Sequence, residues 1–232
     1  MKKNILIIGG SSGIGRALVD ILSPTHSIYV ASRTMDSLSE TTVTHIQHDV
    51  IKDTLDVSSL PEQLDGFVYC PGTINLRPFR GLKPETFADD FNLNVLGAVK
   101  TLQAVLPLLQ KSDQASLVFY STVAVQTGMP FHSSVAAAKG AIEGLTRSLA
   151  AEYAPKFRVN CIAPSLTNTP LADKFLNNES KVEKAKDRHP LKQVGSAKNI
   201  AQLTAILLGD EGQWMTGQIL HIDGGIGDLK TN

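Results

Sequence analysis

The chain has 232 residues, 42% of them apolar, and its 22 Lys and Arg balance its 22 Asp and Glu to a formal net charge of zero. That length suits one α/β domain with a substantial core. The neutral balance lacks the basic footprint that nucleic acid or an acidic membrane surface selects, so neither partner is expected.

Asn4 to Ile8 is predicted as an apolar strand and Ile14 to Leu22 as a helix. Between them Gly9-Gly10-Ser11-Ser12-Gly13-Ile14-Gly15 forms a strand-to-helix turn. Glycines at 9, 13 and 15 let the backbone turn tightly and approach a pyrophosphate, which the free N–H groups and positive dipole end of the helix favour. Ser11 and Ser12 can add hydroxyl donors.

Ser27 to Ala31 is the second strand, and its end reads Ala31-Ser32-Arg33-Thr34, with no carboxylate. NAD-binding folds hold the ribose hydroxyls with an acidic residue at that place. Arg33 can instead fork onto a 2′-phosphate, or stand exposed without a partner. The expected cofactor is therefore NADP in preference to NAD. Thr44 to Gln47 is the third strand, followed by Asp49-Val50, where the aspartate can accept from an adenine amino group or cap the next turn.

Phe67 to Cys70 is a fourth strand, apolar throughout as strands buried on both faces are. A long helix follows from about Pro84 to Leu109, with Phe87, Phe91, Val95, Ala98, Leu102 and Val105 as its buried stripe. Asn94 and Gly97 are poor helix formers in its middle, the kind of local inconsistency found at functional sites.

Leu117 to Ser121 is the fifth strand, Ser134 to Tyr153 a helix and Arg158 to Ile162 a strand. From Leu171 to Lys192 the chain turns polar, with Lys181, Glu183, Lys184, Lys186, Asp187 and Arg188 close together. This is a solvated helical face and, as an insertion after the sixth strand, a substrate lid over about 166–192. A helix near Ile200 to Leu208 precedes the last strand, Gln218 to Ile222. The alternation predicts a single-domain, Rossmann-like α/β fold, a doubly wound parallel sheet with helices on both faces, across residues 1–232.

Cys70 and Cys161 fall at the ends of predicted strands, and such isolated thiols suit a reducing, cytoplasmic compartment. The apolar run Ile5 to Ile8 is too short for a signal peptide. No stretch approaches the ~20 apolar residues of a spanning helix. No metal site is expected.

These motifs resemble those of the short-chain dehydrogenase/reductase family along the whole chain. Gly9 to Gly15 is similar to its glycine motif and Asp49 to its adenine-binding aspartate. Asn94-Val95-Leu96-Gly97 looks like its mid-helix asparagine motif. Arg158-Val159-Asn160 with Pro164 looks like its sixth strand, and Gly217-Gln218 through Asp223-Gly224-Gly225 like its closing strand.

The resemblance implies that Lys139 binds the nicotinamide ribose and lowers the pKa of a tyrosine one helical turn earlier. That position is Val135, which has no proton to give. It also implies that Thr122, beside Ser121, stands for the serine that polarises a carbonyl. Asn94 then supports a water linked to Lys139, or makes an interhelical hydrogen bond where Gly97 allows close packing.

Two motifs depart from the family. Its Asn-Asn-Ala-Gly is Tyr69-Cys70-Pro71-Gly72 here, and the glycine usual after Pro164 is Ser165, while Thr169 suits a contact to a cofactor phosphate or the nicotinamide amide. A homodimer or homotetramer through the helices around 84–109 and 134–153 is implied as well.

His132 is three residues before Val135 and seven before Lys139, and its titration range suits a replacement proton donor. Otherwise it is a loop residue lining the pocket. Ser133 and Ser134 can orient a water or cap the helix start. Two functions stay open. One is an NADP-dependent oxidoreductase for a small carbonyl or alcohol with a non-standard proton donor; the other is a cofactor-binding sensor or subunit partner without redox chemistry.

Overall fold

A computed structural model describes residues 2–38 and 41–230. Seven parallel strands form the central sheet: β1 (Asn4–Ile8), β2 (Ser27–Ser32), β3 (Thr44–Gln47), β4 (Gly66–Tyr69), β5 (Ala115–Tyr120), β6 (Phe157–Pro164) and β9 (Ile219–Ile222). Their order across the sheet is β3-β2-β1-β4-β5-β6-β9. A separate two-stranded pair joins β7 (Thr167–Asn168) to β8 (Gly195–Ser196). Successive side chains on a strand point to opposite faces, and here both faces are apolar. In β1, Leu6 and Ile8 enter one core layer and Ile5 and Ile7 the other, all four fully buried.

Helices cover both faces. The layer holding Leu6, Phe67 and Phe119 is closed by α3 (Gly97–Leu109) and α5 (Ser133–Tyr153), through Leu102, Val105, Ala138 and Ile142. The opposite layer is closed by α1 (Gly13–Leu22) and α8 (Ala197–Leu208), through Leu18, Val19, Ile200 and Leu207. Phe67 and Phe119 meet edge-on, with ring centroids 6.1 Å apart. Truncating either to alanine removes about 3–5 kcal/mol of stability. Strand order reverses between β1 and β4, and crevices at such switch points open beyond the carboxyl ends of the strands.

The predicted helix from Pro84 to Leu109 is interrupted by a wide turn. It consists of α2 (Pro84–Phe91), a π-helical segment over Asn92–Leu96, and α3. The extra residue rotates the preceding part by roughly 100° about the axis. The expected stripe therefore fails at its start: Phe91 is exposed, and Asp90 is fully buried in its place. The wide turn lies where Tyr69 donates its hydroxyl to the Leu93 carbonyl at 2.5 Å. By length and composition this helical run resembles a membrane span. Val95, Ala98, Leu102, Val105 and Leu109 are nevertheless committed to the sheet, so its apolar character is accounted for by the core.

Two further expectations are corrected. Ser133 and Ser134 do not cap α5: the His132 carbonyl accepts the Ala136 N–H at 2.8 Å, and no side chain caps the helix. Phe131, at φ +70°, turns the chain into it, leaving Ser133 exposed and the Ser134 hydroxyl buried without a partner. Cys161 lies within β6 rather than at its end, and both thiols are free. The polar stretch folds as α6 (Asp173–Leu176) and α7 (Glu179–Asp187), the latter capped by Asn178, whose Oδ1 accepts the Lys181 N–H at 2.9 Å. A short helix α4 (Ala124–Thr127), absent from the sequence reading, follows β5.

Candidate active site

The glycine turn is a cradle made by backbone. Gly9 and Gly13 have φ of +78° and +54°, a region that disfavours other residues. A Cβ on Gly15 would lie 2.4 Å from the Gly9 carbonyl oxygen, so helix and turn touch only because the side chain is absent. Ser12 occupies the N-cap of α1 without a side-chain hydrogen bond, and no acidic residue stands in the first turn. The first N–H groups of α1 therefore face the crevice with the positive end of the helix dipole. Thr169 closes the other side, its Cβ 3.4 Å from where Gly13 would carry one, and Pro71 packs over Gly9. This cradle fits a dinucleotide pyrophosphate.

At the end of β2 the predicted residues divide. Arg33 and Thr34 are exposed. Ser32 is buried: its hydroxyl donates to the Thr34 carbonyl at 2.8 Å and pairs with His45 Nε2 at 3.0 Å, so it braces the turn. Asp49 caps its own turn, Oδ1 accepting the Ile51 N–H at 2.9 Å. That bond holds its carboxyl below the usual range, with smaller help from the Lys52 N–H and from the charges of Lys52 and Arg33. Val50 packs against Gly97.

Below the crevice lies a buried polar cluster. Lys139 Nζ and Asn94 Oδ1 each lie 3.4 Å from the position a Cβ on Gly72 would occupy. Asn94 Nδ2 donates to the Asp90 carbonyl at 2.7 Å and to Thr73 Oγ1 at 3.1 Å, while its Oδ1 is buried without a partner. The Asp90 carboxylate accepts from Thr73 at 2.6 Å and from Asn75 at 2.7 Å. Burial lowers Lys139 from 10.5 to about 8, against the opposing pull of Cys161, Cys70 and Asp90. The same burial pushes the Cys70 and Cys161 thiols up to about 12, which leaves them unreactive. Val135, also buried, sits one turn before Lys139 and presents only methyl groups.

A cavity of about 510 Å³ opens above this cluster, within the usual range for small-molecule sites. Thr122, His132, Val135, Lys139 and Cys70 line it, as do Leu166, Leu171, Phe175, Lys184 and Arg188 from the 166–192 segment. Ser121 also lines the cavity, but its hydroxyl is engaged below it, donating to the buried Glu143 carboxylate at 2.6 Å. His132 is half-buried, and its Nδ1 is fixed on the Pro130 carbonyl at 2.7 Å. On the far wall, Ser165 Oγ meets His189 Nε2 at 2.8 Å.

The structure thus gathers Lys139, Asn94, Thr122, His132, Cys70 and Gly72 around one cavity, with the glycine turn, Pro71 and Thr169 at its side. Ser32, Arg33, Thr34, Asp49 and Val50 do not line it. Sequence reasoning missed Asp90, Thr73, Asn75 and His189. The one pointer to Asp90 is Asn94, four residues later; the Asp90 side chain turns inward with the π-helical turn, which straight-helix spacing does not show. His189 has no such local signal.

Residues 30–227 match the family described as enoyl-(acyl carrier protein) reductase. A tropinone reductase homologue of Arabidopsis thaliana, At2g29290, is 31% identical over 96% of this chain and 92% of its own. The 3-oxoacyl-[acyl-carrier-protein] reductase FabG of Thermotoga maritima is 29% identical over 97% of each. Among solved structures, ElxO with NADP bound superposes with a TM-score of 0.89 at 25% identity, over 99% of this chain and 100% of that one. The seven-stranded parallel sheet, the glycine cradle and these whole-length relatives agree: the chain belongs to the short-chain dehydrogenase/reductase family of oxidoreductases.

Proposed function

We propose that this protein is an NADP(H)-dependent reductase or dehydrogenase of a small carbonyl or alcohol, whose proton donor is a group other than residue 135. The observation that carries this reading is the cluster of Lys139, Asn94 Oδ1 and Gly72 on the floor of a largely apolar cavity beside a free helix N-terminus. A lysine buried there is costly unless its charge is used. In this reading Gly9 to Gly15 and Thr169 hold the pyrophosphate, and Arg33 holds the 2′-phosphate. Lys139 holds the nicotinamide ribose, its ammonium facing the same space as Asn94 Oδ1. NADPH, when bound, supplies a hydride. Thr122 orients the substrate oxygen, and the 166–192 segment acts as a lid that excludes water. The solved structure of ElxO with NADP bound supports this cofactor, and Arg33 at the end of β2 supports it over NAD.

A homodimer or homotetramer is part of the same proposal, because Phe79, Phe91 and Leu96 are exposed on and beside the outer helices. The second reading, a cofactor-binding sensor, is favoured by one observation, the aliphatic Val135 beside Lys139.

NADPH oxidation over a panel of aldehydes, ketones and quinones, with the native chain and Val135→Tyr in parallel, separates the two. Turnover by the native chain is expected. Turnover by the tyrosine variant alone would establish the sensor reading.

A further inference from the structure

We propose that Ser165 and His189 are the proton-transfer pair of this cavity: Ser165 delivers to the substrate oxygen the proton that Val135 lacks, and His189 replenishes it. The proposal rests on the redox reading above.

Ser165 Oγ and His189 Nε2 are 2.8 Å apart, and His189 Nδ1 is 2.7 Å from the Ala185 carbonyl oxygen. A carbonyl only accepts, so Nδ1 carries a proton in every charge state. In neutral His189, Nε2 is then the acceptor of the Ser165 hydroxyl. A hydroxyl bonded to an imidazole whose second nitrogen is anchored is the general form of an activated hydroxyl.

The ring is held rigidly. His189 is 3% exposed, and a Cβ on Gly224 would lie 3.4 Å from its Cδ2. Ser165 remains half-buried, and both residues line the same cavity as Thr122, Val135 and Lys139. Its place is set by the sheet. The Val123 N–H donates to the Pro164 carbonyl at 3.1 Å, so Ser165 emerges beside Thr122 and Val123. His132 has no comparable arrangement: its Nδ1 is satisfied by its own loop at Pro130, and it bonds no hydroxyl among the described residues.

The step balances in both directions. In reduction the carbonyl π bond opens as the carbon takes the hydride of the reduced nicotinamide, and the oxygen takes the Ser165 proton. Ser165 Oγ takes the Nε2 proton of the imidazolium form of His189, and solvent reprotonates the ring. In that imidazolium both ring N–H groups donate, which leaves the Ser165 hydrogen free to point at substrate. In alcohol oxidation neutral His189 receives the proton through Ser165. The wall of the cavity that the pair shares carries Lys139, Lys174, Lys181, Lys184 and Arg188, and Asp223, next in sequence to the Gly224 that packs on His189, accepts the N–H groups of Gly225 and Gly227 with its carboxylate.

The test combines a spectrum with kinetics. Long-range ¹H–¹⁵N spectra of the cofactor-free protein should show neutral His189 as the Nδ1–H tautomer, with a resonance that moves in Ser165→Ala. NADPH oxidation is then measured over the carbonyl panel for the native chain, Ser165→Ala, Ser165→Gly, His189→Gln and Ser165→Ala/Val135→Tyr. Loss of the acid should lower kcat by about 10²-fold or more, with KM and the NADPH dissociation constant within about twofold of native. The added tyrosine should restore turnover to Ser165→Ala, which a merely structural defect would not allow. Native-level kcat in Ser165→Ala, or the Nε2–H tautomer at His189, overturns the pair while leaving the redox reading intact. Turnover only in chains carrying Val135→Tyr also overturns it. Silence from every chain while NADPH still binds overturns the redox reading itself, and the pair with it.

Discussion

The turn after β1 and the loop after β6 line the same crevice, and they are built in opposite ways. The first works through its backbone: Gly9 and Gly13 hold positive φ, Gly15 lets α1 touch the turn, and the helix start offers peptide N–H groups with no side-chain cap. The second works through side chains, Ser165 reaching His189 across 24 positions of sequence. A backbone cradle accepts the same phosphate whatever the substrate is. Side chains on a loop can be exchanged without disturbing the sheet below, so the reaction half can change while the cofactor half stays fixed.

The sharpest way to break this contrast is Lys139→Met, which touches the point where the halves meet. Turnover should fall by about 10²–10⁴-fold. Stability of the cofactor-free protein should move the other way. Folded Lys139 titrates at about 8 because it is buried, whereas an unfolded lysine titrates near ~10.4. Between those values the unfolded chain binds the extra proton, so stability rises with pH across that window. Below pH 8 the buried ammonium costs up to about 3 kcal/mol. The methionine variant should therefore be more stable than native at pH 7, with the gap closing between pH 8 and about 10.4. Urea unfolding of both proteins across that range measures the difference, and a constant gap would show that the lysine keeps its proton on folding.

Gly15→Ala probes the cradle itself. Its Cβ would meet a backbone carbonyl at 2.4 Å, an atom that cannot swing aside. The variant should lose on the order of 3 kcal/mol, seen as a melting temperature lower by ~10 °C, together with measurable NADPH affinity. A Ser165→Gly exchange, by contrast, should leave melting and NADPH affinity near native. If Gly15→Ala bound NADPH normally, the backbone account of the cradle would be wrong.

Much of this division was legible from the chain, and the reason is range. Glycine spacing, strand alternation and the broken helix rule at Asn94 and Gly97 are local, so every predicted strand of the central sheet formed within a residue or two of its expected place. The failures share a different cause. The π-helical turn at Asn92–Leu96 coincides with a contact from Tyr69, more than twenty residues earlier, and it rotates Phe91 outward and Asp90 inward. Ser32 satisfies every compositional expectation of a cofactor contact, yet its hydroxyl is taken by Thr34 and His45. No spacing rule foretells which partner a hydroxyl finds first.

That long-range contact can be tested as a pair. A Cβ on Gly97 would lie 2.3 Å from the Tyr69 hydroxyl oxygen. Gly97→Ala should cost about 1–3 kcal/mol through overpacking. Tyr69→Phe removes the offending oxygen and also the bond to Leu93, so it should destabilise on its own by about 1 kcal/mol. The double variant should be less destabilised than the sum, with a coupling of roughly 0.5–3 kcal/mol. Strict additivity, read from urea midpoints, would detach the π-helical turn from Tyr69 and return it to local sequence.

The smallest expected effect lies at the rim, where backbone and side-chain recognition overlap. Arg33 is exposed and makes no salt bridge among the described residues. A solvent-screened guanidinium on a 2′-phosphate should contribute about tenfold in affinity, or ~1.4 kcal/mol. Arg33→Ala should therefore weaken NADPH binding by about that factor and leave NADH binding unchanged, as read by fluorescence titration of both. Ser32→Ala beside it should change neither affinity, because its hydroxyl already bonds within the protein, and should instead lower stability by about 1 kcal/mol. Equal weakening of NADPH and NADH by Arg33→Ala would mean that the arginine acts on the fold of the β2 turn, through Asp49 beside it, rather than on the phosphate.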